Sequence, residues 1–115
     1  MFSGQIPSEI SWFTNLISLD LSWNQIENPF GNLEMLHLSK MDLEALFQNM
    51  TNLRELRLDF VNILSSIPQS LVNISSLTTL SLSYCSLHGE FPSSIFLLPK
   101  IQAIDLSGNQ ILTGF

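Results

Sequence analysis

Leu77-Thr-Thr-Leu-Ser-Leu-Ser-Tyr-Cys-Ser-Leu-His-Gly-Glu-Phe-Pro92 is the stretch whose reading decides the fold. Leucines at 77, 80, 82 and 87 alternate with small polar residues, and Leu80-Ser-Leu-Ser83 has the period of two of a strand with one buried face. Gly89 and Pro92 then turn the chain away from the sheet. By itself this is one strand and one turn. Its weight comes from recurring along the chain.

Aligned on the frame Leu-x-x-Leu-x-Leu, five units start at Leu16, Leu33, Leu53, Leu77 and Ile101. The last three are spaced by 24 residues, whereas the two earlier intervals are 17 and 20. Five residues past each third apolar position stands another: Ile26, Leu43, Ile63, Leu87, Ile111. Three residues before each unit stand Phe13, Phe30, Met50, Ile74 and Leu98, and six before stand Ile10, Glu27, Phe47, Leu71 and Ile95. Those spacings put the side chains on one side of a short helical or 3₁₀ turn. The apolar −3 column predicts that the short units lost loop residues and kept a core contact.

Phe2–Pro7 superposes on Leu87–Pro92, so residues 1–15 read as a half repeat, and Ile111–Phe115 stops where another turn would start. A unit of this kind cannot bury its own inward leucines. It buries them by stacking on its neighbours, as one strand per turn of a coil. The expectation is a parallel sheet on one side, returning segments on the other, and marginal stability from ends that expose apolar faces.

Composition excludes several functions. The chain has 115 residues, 45% hydrophobic and 12% charged, which is too apolar for disorder. A net charge of −6 with four basic residues argues against nucleic acid and anionic membrane surfaces. Cys85 is the single cysteine, so an internal disulfide is impossible. The longest apolar run, Ile95 to Leu98, is too short to span a bilayer, and Met1-Phe-Ser-Gly-Gln5 lacks the regions of a signal peptide.

These residues resemble leucine-rich repeats of the plant extracellular type, whose Leu-x-Gly-x-Ile-Pro extension appears at Phe2–Pro7, Ile63–Pro68 (with Ser65 for glycine) and Leu87–Pro92. The resemblance covers essentially the whole chain and looks most like the ectodomain of receptor-like proteins or receptor-like kinases. It implies an α/β leucine-rich-repeat solenoid. A curved parallel sheet forms its concave side and short helical or 3₁₀ turns its convex side, in about five repeats without caps, as one array over residues 1–115. In that family an asparagine follows the third leucine by three positions and satisfies the turn's backbone. Asn24 and Asn109 match it, and Cys85 substitutes with a weak S–H donor. Met41 and Val61 depart, predicting looser or hydrated turns there.

The concave face is formed by residues between the leucines. Its columns read Ser18, Met35, Glu55, Thr79, Ala103; then Asp20, His37, Arg57, Ser81, Asp105; then Ser22, Ser39, Asp59, Ser83, Ser107; then Trp23, Lys40, Phe60, Tyr84, Gly108. Trp23, Phe60 and Tyr84 share an outward column and are candidate binding anchors, alongside Asp20, His37, Arg57, Ser81 and Asp105. The plainer reading is that the rings cover a strand edge or a neighbouring loop. Five strands about 4.8 Å apart make a strip about 20 Å wide, roughly 400 Å² of footprint. A stable protein interface takes about 800 Å² per partner, so this face reads as part of a longer surface.

Asn49-Met-Thr51 and Asn73-Ile-Ser75 fit the N-glycosylation acceptor pattern, each asparagine four residues before its unit. Catalysis has no support: His37 has no serine or cysteine nucleophile placed with it, and Cys85 reads as core. His88 reads as a loop residue, and Arg54, Glu55, Arg57 and Asp59 as a solvated, partly self-paired face. The two histidines and one cysteine make no metal set, and no cofactor is implied.

The leading reading is a non-enzymatic recognition module resembling part of a plant cell-surface receptor ectodomain. It would bind a peptide or protein ligand, or a receptor-kinase co-receptor, at the extracellular face of the plasma membrane in defence or developmental signalling. Two alternatives stand beside it: a secreted inhibitor of cell-wall-degrading enzymes, and a truncated gene product without independent function.

Overall fold

A computed structural model describes residues 15–23, 25–27, 30–31, 33–110 and 112–113. The half repeat at 1–15, Phe13 and Asn24 therefore lie outside the described residues, apart from Asn15. Four short strands, β1 (Ser18–Asp20), β4 (Glu55–Arg57), β5 (Thr79–Ser81) and β7 (Ala103–Asp105), form one parallel sheet in the order β1-β4-β5-β7. The register runs straight across it: Leu19, Leu56, Leu80 and Ile104 are aligned, as are Asp20, Arg57, Ser81 and Asp105. Backbone bonds carry the ladder past the strands into the turns, with Trp23 N–H on the Asp59 carbonyl, Phe60 on Ser83 and Tyr84 on Ser107, each at about 3 Å.

The core lies behind this sheet. Leu21, Leu56, Leu58, Leu80 and Leu82 point into it and are buried, and the returning segments close it from the convex side. Those segments are α1 (Lys40–Asn49) and two 3₁₀ turns, Gln69–Asn73 and Ser93–Leu97. Phe47, Leu71 and Ile95 of the −6 column are fully buried, as are Met50 and Ile74 of the −3 column, with Leu98 partly so. The extension after each turn forms a second edge: β6 (Gly89–Glu90) pairs in parallel with β8 (Leu112–Thr113), while Ile67 and Phe91 bury their side chains. Gly89 has φ +79°, a conformation that favours glycine at this turn.

The segment from 25 to 52 departs from the repeat frame. Leu33–Met35, the expected strand of the second unit, is β3, and it pairs antiparallel with β2 (Gln25–Glu27) as a hairpin. The sheet therefore runs from β1 directly to β4, which lies 37 residues on, with four strands among the described residues in place of five. Leu36 and Leu38 are buried, but beyond the hairpin: His37 pairs in parallel with Asn62, next to Ile63. Leu38 thus takes the place beside Ile63 on the second edge.

The same shift moves the rest of that unit. Lys40 and Met41, read as turn residues, open α1, and Met41 is 80% exposed. Leu43, expected at a turn, is buried on the inner face of the helix. Phe30 is 87% exposed, so the predicted core contact of the −3 column fails at the hairpin. Ser39 caps α1 by accepting from Asp42 N–H at 3.1 Å, while the Asp42 carboxylate accepts from Ser39 N–H at 3.0 Å. That reciprocal cap fixes a helix start where the repeat frame demanded the end of a strand.

Candidate concave recognition face

Direct pairing of β1 with β4 brings Trp23 beside Phe60. Had the Leu33 unit stood between them, Lys40 would have occupied the column and separated the rings by two strand spacings, about 9.6 Å. Instead the Trp23 and Phe60 rings stack with centroids 3.7 Å apart, and Phe60 stacks on Tyr84 at 4.9 Å. Trp23 and Tyr84 remain exposed and Phe60 is half-buried. The three expected anchors therefore form a continuous stack along one flank of the sheet.

The stack has a backbone cause. Trp23, Phe60 and Tyr84 have φ of 63°, 62° and 54°, and Gly108 in the same column has 72°. This left-handed turn swings each side chain out of the strand's alternation and along the flank. A non-glycine residue there costs about 1–2 kcal/mol, and a stacked ring pair returns about 0.5–1.5 kcal/mol. A Cβ built on Gly108 would lie 2.5 Å from the Tyr84 ring, so the glycine also gives that ring its seat. Gly108 at the end of an aromatic column was the sequence's signal for positive φ, and sequence reasoning missed it.

Beside the rings the polar residues are tied into the turns. Asp20 Oδ1 accepts from Ser22 N–H at 2.9 Å, and Asp105 Oδ1 accepts from Ser107 N–H and Oγ at 3.0 and 2.7 Å. Those serine bonds hold the Asp105 carboxyl below its usual range. In the middle coils the bonds run sideways. Asp59 Oδ1 accepts from Ser81 Oγ, Ser83 N–H and Ser83 Oγ at 2.6, 2.8 and 2.7 Å. Ser81 is buried and its hydroxyl is committed to Asp59. Arg57 lies half-buried between Asp20 and Ser81. His37 is not on this face: the column is Asp20, Arg57, Ser81, Asp105, and the grouping of His37 with Asp20 and Arg57 is corrected by the hairpin.

The turn ladder follows its expected chemistry in two coils. Asn109 Nδ2 donates to the carbonyls of Leu82 and Leu106 at 2.8 and 2.9 Å, and its Oδ1 accepts from Cys85 and Leu87 N–H at 3.0 and 3.1 Å. One coil earlier, Cys85 Sγ donates to the Leu58 carbonyl at 2.9 Å, the counterpart of the Asn109–Leu82 bond. Burial pushes the Cys85 thiol up to about 12, so it keeps the proton that it donates. Val61 was expected to loosen its turn. It is fully buried, and backbone bonds close that turn: Val61 N–H to Leu58 O at 3.0 Å and Ile63 N–H to Cys85 O at 2.9 Å.

The sequon asparagines sit on the convex side, away from the rings. Asn49 ends α1, is exposed, and donates from Nδ2 to the Ala45 carbonyl at 2.9 Å. Asn73 ends the 3₁₀ turn Gln69–Asn73 and is also exposed. His88 lies on the second edge with Nε2 3.0 Å from the Leu64 carbonyl. Among the described residues no group of three or more His, Cys, Asp or Glu side chains is placed to hold a metal, and no helix is long and apolar enough to cross a membrane.

Residues 51–111 match the leucine rich repeat pattern, and residues 14–29 match a second leucine-rich-repeat pattern. The chain belongs to the leucine-rich-repeat family. The two matches flank residues 30–50, which contain the tip of the hairpin and α1, where this leucine-rich-repeat chain leaves its own register. It is similar to Receptor-like protein 6 of Arabidopsis thaliana, 40% identical over 113 residues covering 98% of this chain and 11% of the relative. It is 43% identical over 109 residues to Receptor-like protein Cf-9 of Solanum pimpinellifolium, covering 94% of the chain and 11% of that protein. Receptor-like protein 41 of Arabidopsis thaliana is 32% identical over 137 residues, covering 99% and 14%. The chain spans little more than a tenth of these receptor-like relatives.

Proposed function

We propose that this chain is a non-enzymatic recognition segment of a plant cell-surface receptor ectodomain, contacting a peptide, a protein ligand or a receptor-kinase co-receptor with its concave face. The observation that carries the reading is the exposed Trp23–Phe60–Tyr84 stack on the flank of the sheet, in a leucine-rich-repeat chain similar to receptor-like proteins. Exposed aromatic side chains supply large contact area at low entropic cost, which suits a contact surface. Four strands span only about 14 Å, so the segment contributes one portion of a longer face. The receptor-like names of the relatives support the receptor reading over a secreted inhibitor.

The proposed location is the extracellular side of the plasma membrane, in defence or developmental signalling, with Asn49 and Asn73 carrying glycans on the convex side. Secreted protein would then show an endoglycosidase-sensitive mass that Asn49→Gln/Asn73→Gln removes. The contact role is tested with Trp23→Ser/Tyr84→Ser in the secreted chain against plant extracellular peptide fractions by biolayer interferometry. The proposal expects affinity for a bound fraction to fall at least tenfold. Unchanged binding would leave the rings as a structural spine alone.

A further inference from the structure

We infer that the concave lane beside the ring stack takes an extended cationic peptide segment, with Lys or Arg stems along the ring edges and their heads at Asp59 and Asp105. This deepens the recognition reading and rests on it. On the described strands and turns the outward charged side chains are Asp20, Glu55, Asp59 and Asp105 against the two guanidiniums of Arg54 and Arg57. The face is acidic in a chain whose net charge is −6, so its electrostatic complement is a basic partner.

Two independent features narrow that partner. The first is how the carboxylates are held. Asp20, Asp59 and Asp105 each use Oδ1 for the bonds to serine hydroxyls and backbone N–H groups, and Oδ2 takes no part in them. One oxygen fixes the orientation and the other is left to meet a cation, so little side-chain freedom remains to be lost on binding. The second is the neighbouring column. The rings stack on one another with interplanar angles of 24° and 14°, so the faces between them are occupied and their largely apolar edges remain to meet a neighbour.

Edges of that kind do not offer a cation–π seat between the rings, but they do offer apolar surface to a methylene stem. Lys and Arg combine such a stem with a cationic head, and they lay the stem on apolar surface while the head stays polar. The apolar column (Trp23, Phe60, Tyr84) and the polar column (Ser22, Asp59, Ser83, Ser107) are adjacent, which is the spacing these side chains need. A lane about 14 Å wide accommodates roughly four residues of extended chain. That size fits a peptide segment and not the whole face of a folded protein.

The test is to pan a random dodecapeptide display library on the immobilised chain, then synthesise the recovered peptides and measure their affinities. Recovered peptides should be enriched in Lys and Arg. Their affinity should drop at least tenfold in Asp20→Asn/Asp59→Asn/Asp105→Asn, which keeps the Oδ1 acceptors and whose melting is checked against the native chain. Binding that depends on the rings but shows no cationic enrichment, or that survives the triple substitution, overturns this inference and leaves the recognition reading standing. A library that returns none overturns this inference alone, and peptides that bind Phe60→Ser/Tyr84→Ser as well as the native chain overturn both this inference and the contact role of the rings.

Discussion

Replacing Asn109 with alanine removes the amide that joins the last two turns of the coil. Its Oδ1 accepts from two buried backbone N–H groups, Cys85 and Leu87, and its Nδ2 donates to the Leu82 and Leu106 carbonyls. Each orphaned buried N–H costs about 1–3 kcal/mol and each weakened carbonyl about 0.5 kcal/mol. Asn109 is itself half-buried, so water reaches part of the vacated space and the lower end applies, about 3 kcal/mol in all. For a domain of this size that is about 12 °C in melting temperature, or a urea midpoint lower by about 1–2 M. Thermal and urea unfolding followed by far-UV circular dichroism measure both, with Gln110→Ala, an exposed neighbour, as the control. A shift below about 2 °C for Asn109→Ala would show that the ladder amide is replaceable by solvent, and would refute the account of how these turns are held.

Leu82→Ala should cost about 2–5 kcal/mol and remove cooperative melting, because Leu82 is fully buried between coils; an unaltered melt would contradict the register. Ser39→Ala should destabilise by about 1 kcal/mol and lower helicity near 222 nm, since it removes one side of the reciprocal cap on α1. The Cys85 thiol, pushed up to about 12 by burial, should resist a disulfide reagent in the native chain and react at once in urea. Because its folded pKa is raised, its contribution to stability is complete below the usual thiol range and is lost as pH rises from about 9 toward 12. Cys85→Ala should lose less stability than the native chain across that window, as read from urea midpoints at each pH.

The units at 53, 77 and 101 were legible because spacing, inward leucines and convex columns agreed, and each of those features is set by the same coil. Cys85 was legible as a ladder residue because its place after Leu82 matched that of Asn109 after Leu106. The unit at 33 was not legible from the frame alone. Leu33-x-x-Leu36-x-Leu38 has the period of a strand, but period two fixes which face is buried and not which strand is the partner. Three signals stood against it: the 17-residue interval, Asn28-Pro-Phe-Gly31 as a turn between two alternating segments, and Ser39-x-x-Asp42 as a helix start. Of the candidate site, the ring column was visible, whereas its stacking depended on removing the Leu33 unit from the sheet. His37 left the column of Asp20 and Arg57 for the same reason.

The ring stack exists only if β1 lies against β4, so that contact is the claim to test. Ser18 and Glu55 face each other in register, with Ser18 Oγ donating to Glu55 Oε2 at 3.5 Å, whereas the five-strand frame would put Met35 opposite Glu55. In the native chain, with Cys85 buried and protonated, mild oxidation should close a disulfide in Ser18→Cys/Glu55→Cys and not in Met35→Cys/Glu55→Cys. Mass spectrometry of the two digests reads the result. A bond between positions 35 and 55, and none between 18 and 55, would put the Leu33 unit back in the sheet and take the ring stack apart.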